Sequence, residues 1–218
     1  MGRSNIAIII PAKNEALTIK KVISHCSNYG TVIVIDDASR DETGKISKLS
    51  GAIVLKNKKN LFYDESLNKG FNYARKKKFQ LIITIDADGQ HEIKKIPQFV
   101  KFLNSGYDLI LGKRKKLPRI SEKIISLYFI KKFKIKDIYC GMKGYNFNKL
   151  DKFKTFDRFG SIGTDLATRI MNNKKFKFKE ISIKIKKRKD EPRIGNIFFA
   201  NLRIYKSFLL NLIINSNK

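Results

Sequence analysis

The stretch Leu81-Ile82-Ile83-Thr84-Ile85-Asp86-Ala87-Asp88-Gly89-Gln90-His91 decides the fold. An apolar, β-branched run stops abruptly at two carboxylates. Such a run reads as a strand buried on both faces, the kind found in parallel sheets. Side chains two residues apart share a face of a strand, so Asp86 and Asp88 converge, and Gln90 extends the same alternation. Two converging carboxylates repel unless a cation lies between them. Hard oxygen ligands of this type suit Mg²⁺ or Mn²⁺, which also hold substrate phosphates. Taken alone, such acids more often only cap a turn before the next helix, and it is the surrounding sequence that reverses this.

The flanking sequence repeats the pattern. Strand signals at Ile6–Ile10, Thr31–Ile35, Ala52–Leu55, Leu81–Ile85 and Tyr107–Leu111 alternate with helical signals. The helices are expected at Asn14 to Cys26, Asp41 to Leu49, Ser66–Lys77 and Ile93–Leu103. This order predicts an α/β fold, a mostly parallel central sheet flanked by helices. Ligands of such sheets bind outside the carboxyl ends of the strands. Three of those ends carry polar clusters: Pro11–Glu15, Asp36–Ser39 and Asp86–His91.

The second half differs. Ser121–Phe133 interleaves Ile124, Ile125, Leu127, Tyr128, Phe129 and Ile130 with lysines. That is a basic amphipathic helix, and its periodicity serves core packing and membrane contact alike. Phe176–Lys187 alternates as a half-buried strand. From Gly195 to Asn215 the chain is apolar and aromatic but broken by Arg203 and Lys206, which suits an interfacial or docked helix better than a spanning one. The expected organisation is one domain over residues 1–194 and a C-terminal amphipathic helical extension over 195–218.

Lys and Arg number 47 against 19 Asp and Glu, a formal net charge of +28 in 218 residues. Such a surface favours polyanions: nucleic acid, anionic lipid headgroups or phosphorylated substrates. The abundance of Lys, Ile, Asn and Phe also fits an A+T-rich genome, so charge alone decides little. Cys26 and Cys140 stand far apart and suggest neither a zinc site nor a disulfide framework. A reducing cytosol fits. No apolar run is long enough for a signal peptide or a bilayer span.

Six stretches occur together and in order: Ile-Pro-Ala-Lys-Asn-Glu at 10–15, Val-Ile-Asp-Asp-Ala-Ser-Arg-Asp at 34–41, Asp-Ala-Asp-Gly-Gln-His at 86–91, Gly-Lys-Arg at 112–114, Cys-Gly-Met-Lys-Gly-Tyr at 140–145 and Arg-Lys-Asp-Glu-Pro-Arg-Ile-Gly at 188–195. In this the chain resembles the family 2 inverting glycosyltransferases of the GT-A fold, in particular their dolichol-phosphate mannosyltransferase and polyprenyl-phosphate glycosyltransferase branch. The resemblance implies a nucleotide-sugar donor bound by Pro11, Ala12, Asn14, Glu15, Asp36, Asp37, Asp64, Asp86, Ala87 and Asp88. It places Mg²⁺ or Mn²⁺ on Asp86, Asp88 and Gln90, and gives His91 a loop-shaping place rather than a ligand's. Asp88, Arg114 and Asp165 are the implied catalytic residues.

Arg114, Arg188 and Arg193 match the arginines that would receive an acceptor phosphate, a task for which a guanidinium fork is suited. A lipid phosphate is already anionic and needs little help from a base. Were the acceptor instead a hydroxyl of a polysaccharide or glycolipid, Asp165 would be the candidate base. One departure is Phe62, which replaces the family's usual glycine at a turn where φ > 0 would strain a phenylalanine. The expected setting is the inner face of the cytoplasmic membrane, with an anionic membrane surface as partner. A nucleic-acid-binding protein is the rival reading of the basic surface, and it leaves three acidic strand ends unexplained.

Overall fold

The computed structural model describes residues 5–150, 152–186 and 197–216. Its strands are β1 (Ile6–Ala12), β2 (Thr31–Asp36), β3 (Ile53–Lys56), β4 (Leu81–Thr84), β5 (Leu109–Arg114), β6 (Lys143–Asn146) and β7 (Phe178–Ile183). Its helices are α1 (Ile19–Cys26), α2 (Thr43–Leu49), α3 (Phe62–Lys76), α4 (Ile96–Asn104), α5 (Ile120–Phe133), α6 (Asp165–Met171) and α7 (Ile197–Ser216). The seven strands form one sheet in the order β3-β2-β1-β4-β6-β5-β7. β6 runs antiparallel to both its neighbours and the other pairs are parallel. The mostly parallel α/β architecture expected from the strand–helix alternation is therefore present.

Burial on both faces explains the unbroken apolar runs. In β1, Ala7 and Ile9 join a cluster with Ile33, Phe71 and Tyr145, while Ile8 and Ile10 join Val34, Ile83 and Phe99 on the opposite face. Each such side chain contributes about 1.5–3 kcal/mol relative to exposure. The topology then creates the site. β2 and β3 lie to one side of β1 and β4 to the other, so the chain reverses its strand order between β1 and β4. A crevice opens outside the carboxyl ends at such a switch point. Ala12 is level with Asp36, and Ile85 N–H reaches the Ile9 carbonyl at 3.1 Å, so the ends of β1, β2 and β4 lie side by side. Since β5 is parallel to β4, Arg114 reaches the same edge.

Several boundaries differ from expectation. The helix expected from Asn14 begins at Ile19, because Asn14 takes a left-handed φ of 52° and the turn is tied to the β2–α2 loop. Asn14 N–H and Ala16 N–H donate to Ser39 Oγ and Asp41 Oδ2. Leu17, expected on the apolar face, is exposed. The helix expected at Ser66 begins at Phe62, one turn earlier. The strand expected over Phe176–Lys187 is shorter, Phe178–Ile183. Strand β6 and helix α6 have no counterpart in the strand and helix signals. The apolar C-terminal segment forms α7, which packs against α5 and α6 with Ala200, Ile204, Ser207 and Asn211 buried.

Candidate active site

Asp86 and Asp88 stand just beyond β4. Both are half-buried while Ala87 between them is buried, so the two carboxylates share the open side of the edge. Asp86 is fixed from three directions. Tyr63 donates its hydroxyl to Oδ1 at 3.3 Å, His91 Nε2 lies 3.6 Å from Oδ2, and Asp86 N–H points at His91 Nδ1. Burial, and then the charge of Asp86, push the Tyr63 hydroxyl well above its ordinary pKa, so it remains a donor. His91 is buried and shapes the turn from within. Gly141 makes room for the acid, since a Cβ there would lie 2.5 Å from Asp86 Oδ1.

Asp88 Oδ1 accepts the Gln90 N–H at 3.0 Å, closing the turn through Gly89, whose φ is 73°. The Gln90 side-chain amide donates to the Lys186 carbonyl and Lys186 N–H returns a bond to the Gln90 carbonyl. Asp86 and Asp88 are a hard-oxygen pair suited to Mg²⁺ or Mn²⁺, with the Gln90 side chain next to them in the turn and bonded to Lys186. Among the described residues no group of three or more His, Cys, Asp or Glu forms a protein-only cage. A pair of acids leaves coordination positions for a diphosphate, the usual arrangement for Mg²⁺.

The ends of β1 and β2 form the other wall. Pro11 and Ala12 end β1, and Thr18 Oγ1 donates to the Ala87 carbonyl at 2.8 Å, tying this loop to the acidic turn. Glu15 is buried beside it, its N–H bonded to Thr43 Oγ1 and its carboxylate accepting from Thr18. Asp36 is buried with Oδ1 bound by Ser39 N–H, and Gly44 leaves its Oδ2 space. Asp37 organises the loop before α3, accepting from Asn57 Nδ2 at 2.9 Å, Leu61 N–H at 2.7 Å and Phe62 N–H at 2.9 Å. The resemblance places both Asp36 and Asp37 on the nucleotide-sugar donor; in the structure both carboxylates hold loops. Phe62 has the strained φ anticipated for that position, 65°. A surface depression lined by Ala38, Ser39, Asn57 and Lys58 lies against the loop that Asp37 holds and does not include Asp86.

Asp64 is buried in the first turn of α3, where Gly163 N–H donates to Oδ1 at 2.7 Å and Arg203 of α7 lies 3.7 Å from Oδ2. Burial, and then the charge of Asp157, push its carboxyl up to about 6. Lys143, the first residue of β6, is a wholly buried ammonium whose Nζ donates to the Cys140 carbonyl at 2.7 Å. Burial lowers its pKa, while Cys140, Asp137 and Asp86 support its charge.

Arg114 closes the edge on the β5 side. Its Nε and Nη2 donate to the two oxygens of buried Asp137, each at 2.7 Å, and Nη2 also reaches Glu122 at 2.7 Å. Glu122, buried on α5, holds Arg119 as well at 2.7 Å. Burial opposes the Arg114 charge, but bonds to Asp137 and the fields of Asp137 and Glu122 more than offset it and raise its pKa. Asp165 stands two residues after Gly163, which lies beside Tyr63 and Lys143. It starts α6, fully buried, with both oxygens taken by Arg158 at 2.7 and 2.8 Å and Arg169 at 3.2 Å. Arg188 and Arg193 fall outside the described residues.

The structure therefore gathers Pro11, Ala12, Asn14, Glu15, Asp36, Asp37, Asp64, Asp86, Ala87, Asp88, Gln90 and Arg114 along one sheet edge. Tyr63, Lys143, Glu122 and Arg119 are additions to the residues named from sequence. Lys143 sits inside a stretch singled out above, but only its strand placement reveals the proximity to Asp86. Arg119 stands in an ordinary run of basic residues, and nothing local distinguishes it.

Comparison with known proteins agrees with this geometry. The glycosyl transferase family 2 model matches residues 7–160. The chain is 32% identical over 139 residues to the UDP-N-acetylglucosamine–dolichyl-phosphate N-acetylglucosaminyltransferase of Methanococcus voltae, covering 55% of each protein. It is 27% identical over 118 residues to the undecaprenyl-phosphate 4-deoxy-4-formamido-L-arabinose transferase of Edwardsiella ictaluri, covering 48% of this chain and 35% of that one. The chain thus spans about half or less of these relatives' length. In structure it is similar to glucosyl-3-phosphoglycerate synthase of Mycobacterium tuberculosis, solved with Mn²⁺ and UDP, with a TM-score of 0.75 at 19% identity over 96% of this chain and 80% of that one. That likeness extends the GT-A fold over nearly the whole molecule, and the chain belongs to glycosyl transferase family 2.

Proposed function

We propose that this glycosyltransferase moves a hexose, with inversion, from a GDP- or UDP-sugar to a polyprenyl- or dolichyl-phosphate-type acceptor. The observation that carries the reading is Arg114 at the end of β5, on the edge that ends in Asp86 and Asp88, with Arg119 at the start of α5 tied to it through Glu122. Two guanidinium groups beside a diphosphate site suit a second, phosphorylated substrate. Relatives named for transfer to dolichyl or undecaprenyl phosphate support the same class.

In this reading an acceptor phosphate oxygen attacks the anomeric carbon from the face opposite the leaving group. A new carbon–oxygen bond forms, the bond to the diphosphate breaks, and its electron pair leaves with the nucleoside diphosphate. Asp86, Asp88 and Gln90 would hold Mg²⁺ or Mn²⁺, whose chemistry there is to stabilise the diphosphate charge. Tyr63 and His91 orient Asp86. Glu15, Asp36 and Asp37 shape the nucleotide wall, and Asp64 borders the sugar. Arg119 binds the acceptor phosphate, and Arg114, itself held by Asp137 and Glu122, positions that pair; the acceptor needs no base. A hydroxyl acceptor would call on Asp165, whose carboxylate is already engaged by Arg158 and Arg169. The cytoplasmic face of a membrane is the setting that such an acceptor requires.

The test is a kinetic split. Arg119→Ala is expected to raise KM for polyprenyl phosphate about tenfold or more, the loss of a charge-assisted hydrogen bond, with donor KM unchanged. Equal turnover of polyprenol and polyprenyl phosphate, or an Arg119→Ala enzyme with unaltered acceptor kinetics, would refute the assignment.

A further inference from the structure

Among the described residues thirteen large apolar side chains are exposed, and nine of them lie on α5 and α7. The two helices pack side by side. Ser121 donates to Asn201 Oδ1 through both N–H and Oγ, and the rings of Tyr128 and Phe208 meet at 5.2 Å. The pairs keep one sequence offset, so the helices run in the same direction.

At about 3.6 residues per turn, the order of faces round each helix can be read. Turning round α7 from its buried positions Ala200, Ile204 and Ser207, one meets Asn201 and Phe208 against α5, and then Phe198, Leu202 and Leu209. Turning round α5 in the opposite sense from Ile125 and Phe129, one meets Ser121 and Tyr128 against α7, and then Ile120, Ile124 and Leu127. The two outward triplets border the same groove and form one apolar seam. The next positions outward are basic and exposed: Lys123 on α5 and Lys206 on α7. Lys131 lies within the α5 stripe itself. The exposures are large, 66% at Leu127 and 69% at Phe198, so neither residue is spent on the core.

We infer that the α5–α7 seam docks on an anionic phospholipid surface. An apolar strip flanked by lysines on both sides is what an interfacial segment presents: the strip enters the acyl boundary and the ammonium groups meet the headgroup charge. Charge complementarity selects lipid over a second copy, because a chain of net charge +28 meets itself with repulsion. No helix among the described residues is long and apolar enough to cross a membrane, and the seam itself presents its apolar side chains along the helices rather than across a bilayer. The seam starts beside Arg119 and the Glu122 pair, but the inference does not require the acceptor to be a lipid phosphate.

The experiment is co-sedimentation of the full chain with vesicles of phosphatidylcholine alone or mixed with phosphatidylglycerol, containing neither donor nor acceptor. The expected result is binding to the anionic vesicles that weakens with salt. Ile124→Asp combined with Leu209→Asp is expected to lower the partition about tenfold or more, since each change removes an apolar insertion. An unchanged thermal melt and unchanged nucleotide binding would show that the variant is folded. Absence of binding by the unaltered chain, or equal binding by the variant, would overturn the inference. So would a concentration-dependent dimer that the variant abolishes without any vesicle binding. Because the readout is independent of turnover, its failure is distinct from failure of the acceptor assignment.

Discussion

Replacing Arg114 by alanine tests the arginine cluster where its energetics are strongest. Arg114 donates three side-chain hydrogen bonds of 2.7 Å, two to Asp137 and one to Glu122. Its side chain is 15% exposed, and those of the two acids 0% and 2%. Solvent therefore cannot replace the guanidinium when it is removed. Breaking a buried ion pair by deleting one partner costs about 3–5 kcal/mol, because the remaining charge is stranded. Arg119 still neutralises Glu122 in the variant, so most of the loss falls on Asp137, which keeps the backbone N–H of residue 114 and the field of Lys143. The expected loss in urea unfolding is thus about 3–5 kcal/mol, a large share of the roughly 5–15 kcal/mol of a typical domain. Arg114→Ala combined with Asp137→Asn should recover part of it, since the stranded charge is gone. A cost below about 1 kcal/mol for Arg114→Ala would mean that the cluster behaves as a solvated surface pair, and the reasoning would fail. The same arithmetic explains why Arg119, held among the described residues by Glu122 alone, is the cleaner probe of acceptor binding.

Other outcomes follow from the same geometry. Gly141→Ala places a methyl against Asp86 Oδ1, so Mn²⁺-dependent nucleotide binding should weaken about tenfold or more while the melt changes little, and unaltered binding by calorimetry would contradict the packing. Asp64, ordinarily near 3.8 and raised to about 6 in the fold, costs no stability below about pH 4. Its cost grows as pH rises between those values and is complete above about pH 6. Asp64→Asn should therefore stabilise the protein by about 1–3 kcal/mol at pH 8 and less at pH 5, and a gain independent of pH would contradict the assignment. Chelation by EDTA should abolish tight donor binding and Mn²⁺ should restore it, with no restoration in Asp88→Ala.

The parallel half of the sheet was legible because strands buried on both faces leave continuous apolar runs, and because their ends are marked by acids at Glu15, Asp36 and Asp86. What escaped depends on contacts distant in sequence. β6 is short and contains Gly144, whose missing side chain lets Phe99 and Leu103 pack closely, and Lys143 sits in it without any apolar alternation. The start of α1 is delayed by Asn14, whose left-handed turn is held by Ser39 and Arg40 of another loop. The apolar residues of α5 carry one periodicity, but the fold divides them. Ile125 and Phe129 enter the core and Ile124 and Leu127 face outward, a division that local spacing cannot make. The ion pairs of Asp165 with Arg158 and Arg169 were likewise not legible, since nothing local in the sequence marks them.

The most direct measurement is transfer of radiolabel from a panel of GDP- and UDP-sugars to polyprenyl phosphate by the purified chain with Mg²⁺ or Mn²⁺. Metal-dependent label should enter the lipid phase from one donor, with none in Asp88→Ala. Label that never enters the lipid phase, but is instead released by donor hydrolysis or transferred to a sugar hydroxyl, would contradict the lipid-phosphate acceptor.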